Sequence, residues 1–161
     1  MRRAFVLTVS DGVAAGTRGD ASGDGVAERL EGLGYAVERS VAPDEVPAIQ
    51  DALRGAVERG HELILTTGGT GLTPRDVTPQ ATAAVIDLDV PGLAEAMRAA
   101  GRASTPFADL SRGVVGVAGR SLVINLPGSP KGALESLAAV EPVLEHALAT
   151  LAGPFDHDAT G

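Results

Sequence analysis

No cysteine and no tryptophan occur in these 161 residues, and three phenylalanines and one tyrosine complete the aromatic complement. Without cysteine, disulfides and thiolate metal sites are excluded. With aromatics at 2%, the core must be built from Val, Leu, Ile and Ala, a composition that suits helices covering both faces of a parallel sheet. No hydrophobic run approaches membrane-spanning length, so no membrane partner is expected. The apolar run after Arg2-Arg3 is too short for a cleavable signal peptide, and a cytoplasmic location is expected. Basic residues are also scarce, 13 against 21 acidic ones, for a formal net charge of −8. That balance disfavours a broad basic face, and no nucleic-acid partner is expected. It leaves room for an anionic small molecule held by backbone amides, a few cations and Mg²⁺.

What is present alternates between strand-like and helix-like patterns. The length favours one domain over 1–161, with a core at about 4–153 and a frayed tail beyond it. Ala4–Ser10 reads as a buried strand, followed by a Gly- and Ala-rich loop from Asp11 to Gly23. Ser22 is the expected cap of a helix that turns Val26, Leu30 and Leu33 inward and stops at Gly34. A strand over Tyr35–Val41 precedes a helix opened by Pro43-Asp44-Glu45, with Pro47 in its first turn and Val46, Ile49, Leu53 and Val57 inward. Glu62–Thr66 is the third strand. Pro79 and Pro91 suit the first turns of two further helices. Val114–Leu126 reads as a hairpin turning at Gly119-Arg120. A last helix, from about Lys131 to Leu151, places Leu134, Leu137, Leu144, Leu148 and Leu151 inward, with a kink or break at Pro142. The pattern predicts an α/β three-layer fold: a mostly parallel central sheet, helices on both faces and one antiparallel hairpin.

Ligands of doubly wound sheets gather beyond the carboxyl ends of the strands. Three loops there are unusual: Ser10-Asp11-Gly12, Gly68-Gly69-Thr70-Gly71 and Pro127-Gly128-Ser129-Pro130-Lys131-Gly132. Glycines let backbone amides approach a phosphate, and hydroxyls add donors. A tight turn would explain Gly-Gly-Thr-Gly equally well, and neither a Walker A loop nor a dinucleotide fingerprint is present. On its own Asp44 is most economically a helix N-cap, while Asp76 could cap the following helix or pair with Arg75. If their loops meet, two carboxylates facing phosphates make a Mg²⁺ site. His61, His146 and His157 lack ligand spacing and are read as structural or solvated. Lys131 opposes the dipole of the last helix, which either a bound anion or plain surface exposure would explain.

Taken in order, TTGGTGLTPRDVTPQAT (Thr66–Thr82), VPGLAEAMR (Val90–Arg98), TPFADLSRGVVGVAG (Thr105–Gly119) and SLVINLPGSPKG (Ser121–Gly132) resemble the MogA/MoaB family of molybdenum-cofactor biosynthesis proteins, which is also similar to the G domain of gephyrin. VSDG…GDASG (Val9–Gly23) and APDE (Ala42–Glu45) fit as well. The resemblance implies a molybdopterin-binding fold and, for active members, molybdopterin adenylyltransferase activity with ATP, molybdopterin and Mg²⁺. It implies catalytic and metal-holding roles for Asp44 and Asp76, a phosphate loop at Gly68, Gly69, Thr70 and Gly71, and pterin binding at Ser111 of the Leu-Ser-Arg motif, beside Arg112. Asn125, Pro127, Gly128 and Ser129 would complete the nucleotide pocket. Ser10 and Asp11, Thr73, Pro74 and Arg75 in the lip around Asp76, and Lys131 are expected to face substrate or nucleotide. Gly12 stands where the family often has a larger residue, and Gln80 where it often has Glu. The resemblance further implies a homotrimer or a hexamer of two trimers, and hand-over of product to a molybdate-inserting enzyme. A MoaB-like paralogue that binds molybdopterin with little or no turnover is the alternative, and a nucleotide pyrophosphatase like that of CinA-type proteins is a second.

Overall fold

Alternation along β1 (Arg3–Val9) sets the architecture, because successive side chains of a strand point to opposite faces. Ala4 and Val6 enter one apolar cluster, and Phe5, Leu7 and Val9 enter another. The structure, a computed structural model, describes residues 1–154. The remaining strands are β2 (Ala36–Ala42), β3 (Leu63–Thr67), β4 (Leu88–Asp89), β5 (Val115–Ala118) and β6 (Ser121–Leu126). They form a six-stranded sheet in the order β2-β1-β3-β6-β5-β4. β2, β1, β3 and β6 run parallel, whereas β5 pairs antiparallel with both β6 and β4. The β5–β6 hairpin turns at Gly119-Arg120, as expected, with Gly119 at φ +60°.

The helices are α1 (Asp11–Ala14), α2 (Ala21–Gly32), α3 (Val46–Glu58), α4 (Thr78–Ala83), α5 (Pro91–Arg102) and α6 (Pro130–Ala152), with a 3₁₀ turn over Pro106–Leu110. Val26 and Leu30 of α2, Met97 of α5 and Leu137, Leu144 and Leu148 of α6 cover one face of the sheet. Ile49 and Leu53 of α3 and Ala81 of α4 cover the other. The predicted three-layer, mostly parallel fold with one hairpin is therefore the observed one. Among the described residues no helix is long and apolar enough to cross a membrane.

Several local expectations are corrected. The loop after β1 contains the short helix α1, capped by Ser10, whose Oγ accepts from the Val13 amide at 3.2 Å. Asp20, not Ser22, caps α2: its Oδ1 accepts from the Gly23 amide at 3.0 Å, and Ser22 is the second residue of the helix, buried. Asp20 prevails because its Oδ2 also accepts from Thr8 Oγ1 at 2.7 Å and from Arg39 at 2.8 Å. Leu33 is the C-cap of α2 and exposed rather than inward, and Leu134 is exposed near the start of α6. Pro142 does not split α6. It and Ala138 both face solvent, so the carbonyl that loses its partner can bond water, while buried residues on either side hold the helix to the sheet. The expected tail Asp156–Gly161, with His157, lies outside the described residues.

His61 is structural, as its sequence context suggested. It is 1% exposed, with Nδ1 3.0 Å from the Ala56 carbonyl, Nε2 2.8 Å from Glu38 and its ring tilted against Phe5.

Candidate functional site

The carboxyl ends of parallel β1, β3 and β6 bring the three unusual loops together. The Gly68 amide donates to the Leu126 carbonyl at 3.1 Å, and a Cβ added at Gly128 would lie 3.3 Å from Gly68 Cα. At Gly68 (φ +92°) and Gly69 (φ +69°) the chain adopts the left-handed conformation that glycine tolerates best. Neither position has room for a side chain: an added Cβ would overlap the Val9 carbonyl oxygen at Gly68, or Thr78 Oγ1 at Gly69. Thr78 needs that space, since its Oγ1 donates to the Gly68 carbonyl at 2.9 Å.

Neither aspartate has the role its local sequence suggests. α3 is capped at Glu45 with no side-chain hydrogen bond, so Asp44 is not its N-cap. Asp44 Oδ2 instead accepts from the Asp11 amide at 2.9 Å, and the Asp44 amide donates to Asp11 Oδ1 at 3.0 Å. Asp76 does not cap α4, whose N-cap is Val77, and Arg75 does not pair with it. Asp76 Oδ2 accepts from the Thr73 amide at 2.9 Å and from Thr73 Oγ1 at 2.8 Å. Each carboxylate is thus anchored through one oxygen, and among the described residues its Oδ1 has no donor. Both lie against the glycine loop: Asp44 Oδ1 is 3.4 Å from the position of a Cβ on Gly69, and Asp76 Oδ2 is 2.9 Å from that on Gly71.

Three arginines and an asparagine maintain this geometry. Arg75 forks onto Asp11, with Nε–Oδ2 at 3.0 Å and Nη2 2.9 Å from both oxygens. The Arg112 amide donates to the Thr70 carbonyl at 2.9 Å, and its guanidinium reaches the Gly71 carbonyl at 2.8 Å, the Asp76 carbonyl at 2.6 Å and Gln80 Oε1 at 3.2 Å. Gln80 therefore helps to orient Arg112. Arg98 donates to the Ser111 and Gly113 carbonyls at 3.4 and 3.2 Å. Asn125 is 1% exposed; its Nδ2 donates to Thr66 Oγ1 and Thr82 Oγ1, each at 3.0 Å, and its Oδ1 accepts from the Val114 amide at 3.2 Å. Asn125→Ala should lower the unfolding free energy by about 2 kcal/mol, because it strands those buried groups. A shift in the urea midpoint without a change in slope would be the readout.

Two cavities flank the loops. One, of about 390 Å³, is lined by Ser10, Asp44, Gly68, Gly69, Asp76 and Gly128 among others. The second, of about 490 Å³, is bounded by Thr70, Gly71, Met97, Phe107, Ser111 and Asn125 among others. Ser129 borders both, and Pro127 borders the larger. Asp11, Thr73, Pro74, Arg75, Arg112 and Lys131 border neither. Asp11, Thr73 and Arg112 orient the groups that do, and Lys131 is exposed with Glu135 at 3.8 Å. Sequence reasoning assigned no role to Arg98 and Phe107 on the larger cavity, or to Arg18 and Ser22 on the smaller one. All but Arg18 lie inside motifs already singled out, and those motifs were the available signal.

Electrostatics separates the adjacent aspartates. Desolvation pushes the Asp44 carboxyl above the ordinary 3.8, further raised by the charges of Asp11 and Asp76 against the opposing Asp11 amide and Arg75. The Asp44 backbone amide and then the Arg75 guanidinium hold Asp11 below the same value. A carboxyl-carbon NMR titration of the ligand-free protein should therefore give Asp44 a midpoint above 3.8 and Asp11 one below it. The linkage signs are opposite. The contribution of Asp11 is fully present above its unfolded value and is lost as pH falls through its lower folded value. That of Asp44 is fully present below its unfolded value and is lost as pH rises through its higher folded value.

The chain is 42% identical over 143 residues to a molybdopterin adenylyltransferase of Haemophilus influenzae, covering 84% of this chain and 71% of that one. It is 43% identical over 155 residues to a molybdenum cofactor biosynthesis bifunctional protein of Synechococcus elongatus, covering 96% of this chain but 48% of the relative, about half its length. The solved structure of the molybdopterin biosynthesis enzyme MoaB from Thermus thermophilus superimposes with a TM-score of 0.89 at 52% identity, covering 97% of this chain and all of that one. Residues 5–146 match the family model MoCF_biosynth, described as a probable molybdopterin binding domain. With that match spanning most of the chain, and relatives named for making the molybdenum cofactor, this protein belongs to the MoCF_biosynth family.

Proposed function

We propose that the protein is a molybdopterin adenylyltransferase acting in cytoplasmic molybdenum-cofactor biosynthesis. The observation that carries this reading is the presence of Asp44 and Asp76, two carboxylates with uncommitted oxygens, on one cavity walled by Gly68 and Gly69. The smaller cavity would take ATP and the larger one the pterin, between Met97, Phe107 and Ser111. An oxygen of the terminal phosphate of molybdopterin attacks the α-phosphorus of ATP. The bond to the α,β-bridging oxygen breaks, and its electron pair leaves with pyrophosphate. The nucleophile is already anionic, so no general base is required, which suits a cavity wall without histidine.

Mg²⁺ fits the donor set, because its usual complement is one or two carboxylates together with substrate phosphates. Among the described residues no group of three or more His, Cys, Asp and Glu side chains converges, so substrate oxygens would have to complete the shell. Held by Asp44 and Asp76, the ion would neutralise charge on the phosphates. The chain's own part is orientation. The Asp11–Asp44 clasp and Arg112 keep the carboxylates and the glycine loop in register. The amino end of α6, capped where Ser129 Oγ accepts from the Gly132 amide at 3.1 Å, turns its positive dipole toward the cavity.

The deciding measurement is pyrophosphate release with ATP, Mg²⁺ and molybdopterin, accompanied by adenylylated molybdopterin in equal amount. Tight pterin binding without pyrophosphate would overturn the enzyme reading in favour of a binding protein. Dinucleotide hydrolysis without pterin would overturn it in favour of a pyrophosphatase. Assembly as a trimer or a hexamer of two trimers, and hand-over to a molybdate-inserting enzyme, belong to the same reading. Light scattering that returned a monomer mass would remove the assembly from it.

A further inference from the structure

Two side chains on the smaller cavity are left over once the site is described. Ser22 lies at the second position of α2, 7% exposed, and its Oγ is a buried side-chain polar atom with no hydrogen-bond partner among the described residues. Buried hydroxyls are almost always paired, so an orphan on a cavity wall calls for a partner from outside the protein. Arg18 is the one cation bordering this cavity among the described residues. It makes neither an ion pair nor a hydrogen bond, a condition shared among the described arginines and lysines only by Arg54. Asp20, the carboxylate nearest to it in the chain, is already engaged by Thr8, Arg39 and the Gly23 amide.

Gly12 bears on the same point. A Cβ there would lie 3.2 Å from Arg18 Cβ and 3.5 Å from its Cδ. A larger residue at position 12 would press on the stem of Arg18. The arrangement joins a free cation, an unpaired hydroxyl and the amino end of a 12-residue helix on a cavity whose other charged walls are Asp20, Asp44 and Asp76. Anions are what such a group binds.

We infer that Arg18 and Ser22 form a subsite for the distal phosphates of the nucleotide, the pair that departs as pyrophosphate; this rests on the adenylyl-transfer reading. Arg18 would donate to the non-bridging oxygens and take up charge as the α-phosphorus to bridging-oxygen bond breaks, with Ser22 Oγ as a second donor. Neither residue would touch the nucleoside monophosphate.

The test is calorimetric titration of the full chain, with Mg²⁺ present, by a non-hydrolysable ATP analogue and separately by AMP. Arg18→Ala should weaken the ATP analogue about tenfold and Ser22→Ala about threefold, with AMP unaffected in both. Arg54→Ala should bind both ligands as wild type does. Because Ser22 Oγ has no protein partner, Ser22→Ala should not lower Tm, which separates a ligand role from a structural one. Unchanged binding of the ATP analogue by both variants would remove the subsite and leave the adenylyl-transfer reading standing. Failure of the wild type to bind the analogue would remove both.

Discussion

Asp44→Asn and Asp76→Asn, made singly, should each lower adenylyl transfer by at least about a hundredfold while leaving the protein as stable as before. Asparagine preserves the shape and one acceptor oxygen. The Asp11 amide could still donate to residue 44, and the Thr73 amide and hydroxyl to residue 76. What disappears is negative charge where a cation must be held against phosphates. Removing that charge at position 44 also relieves repulsion from Asp11 and Asp76, so the denaturation midpoint of Asp44→Asn should stay the same or rise at neutral pH. Pyrophosphate release and urea unfolding measured on the same preparations decide the matter. Near-normal turnover by both variants would sink the metal-holding role. Lost turnover with an equally large loss of stability would make the carboxylates structural instead. Asp11→Asn is a useful contrast. It breaks the ion pair with Arg75 but retains its backbone amide, so the effect should reach turnover only through the position of Asp44.

Gly68→Ala should be the most destabilising single change at this end of the sheet, by about 4 kcal/mol. Two costs add there: an L-residue held at φ +92°, and a Cβ driven into the Val9 carbonyl oxygen. That obstacle is backbone in the middle strands of the sheet, so no side-chain rotation relieves it. Displacing Gly68 would also disturb its amide's bond to Leu126 and its carbonyl's bond from Thr78. Gly32→Ala is the matching control. It ends α2 with nothing within 4 Å of the added Cβ and no positive φ, and it should stabilise by about 0.5 kcal/mol. Equilibrium unfolding of the two variants beside wild type gives the comparison. A Gly68→Ala protein as stable as Gly32→Ala would show that the loop has room that the geometry denies it.

The elements of this fold were legible because their signals are local. Val26 and Leu30, Ile49 and Leu53, and Leu137, Leu144 and Leu148 keep helical spacing whatever they pack against, and Gly119-Arg120 turns a chain by its own dihedral preference. The misreadings arose where a distant partner outbid a local one. Ser22 looks like a cap, but Asp20 takes that role because Thr8 and Arg39 also reach it. Asp44 looks like a cap, but the Asp11 amide claims its carboxylate across 33 positions of chain. Pro142 looks like a break, but its exposed neighbour and the buried contacts on both sides let α6 continue.

The site divides along the same line. Chain order alone specifies which residue types stand at the carboxyl ends of the strands: glycines free to take positive φ, two aspartates, hydroxyls and a few arginines. It also carried the family resemblance, because a run of motifs in order survives without any knowledge of contacts. How those residues divide the work depends on the contacts that folding creates. Arg75 is engaged by Asp11, Arg112 by the carbonyls of Gly71 and Asp76, and Asn125 by two buried threonines, while Arg18 and Ser22 have no partner among the described residues on the cavity wall. The physical reason is that a hydrogen-bonding side chain is committed by whichever partner the fold brings within about 3 Å of it, a distance that chain order does not encode.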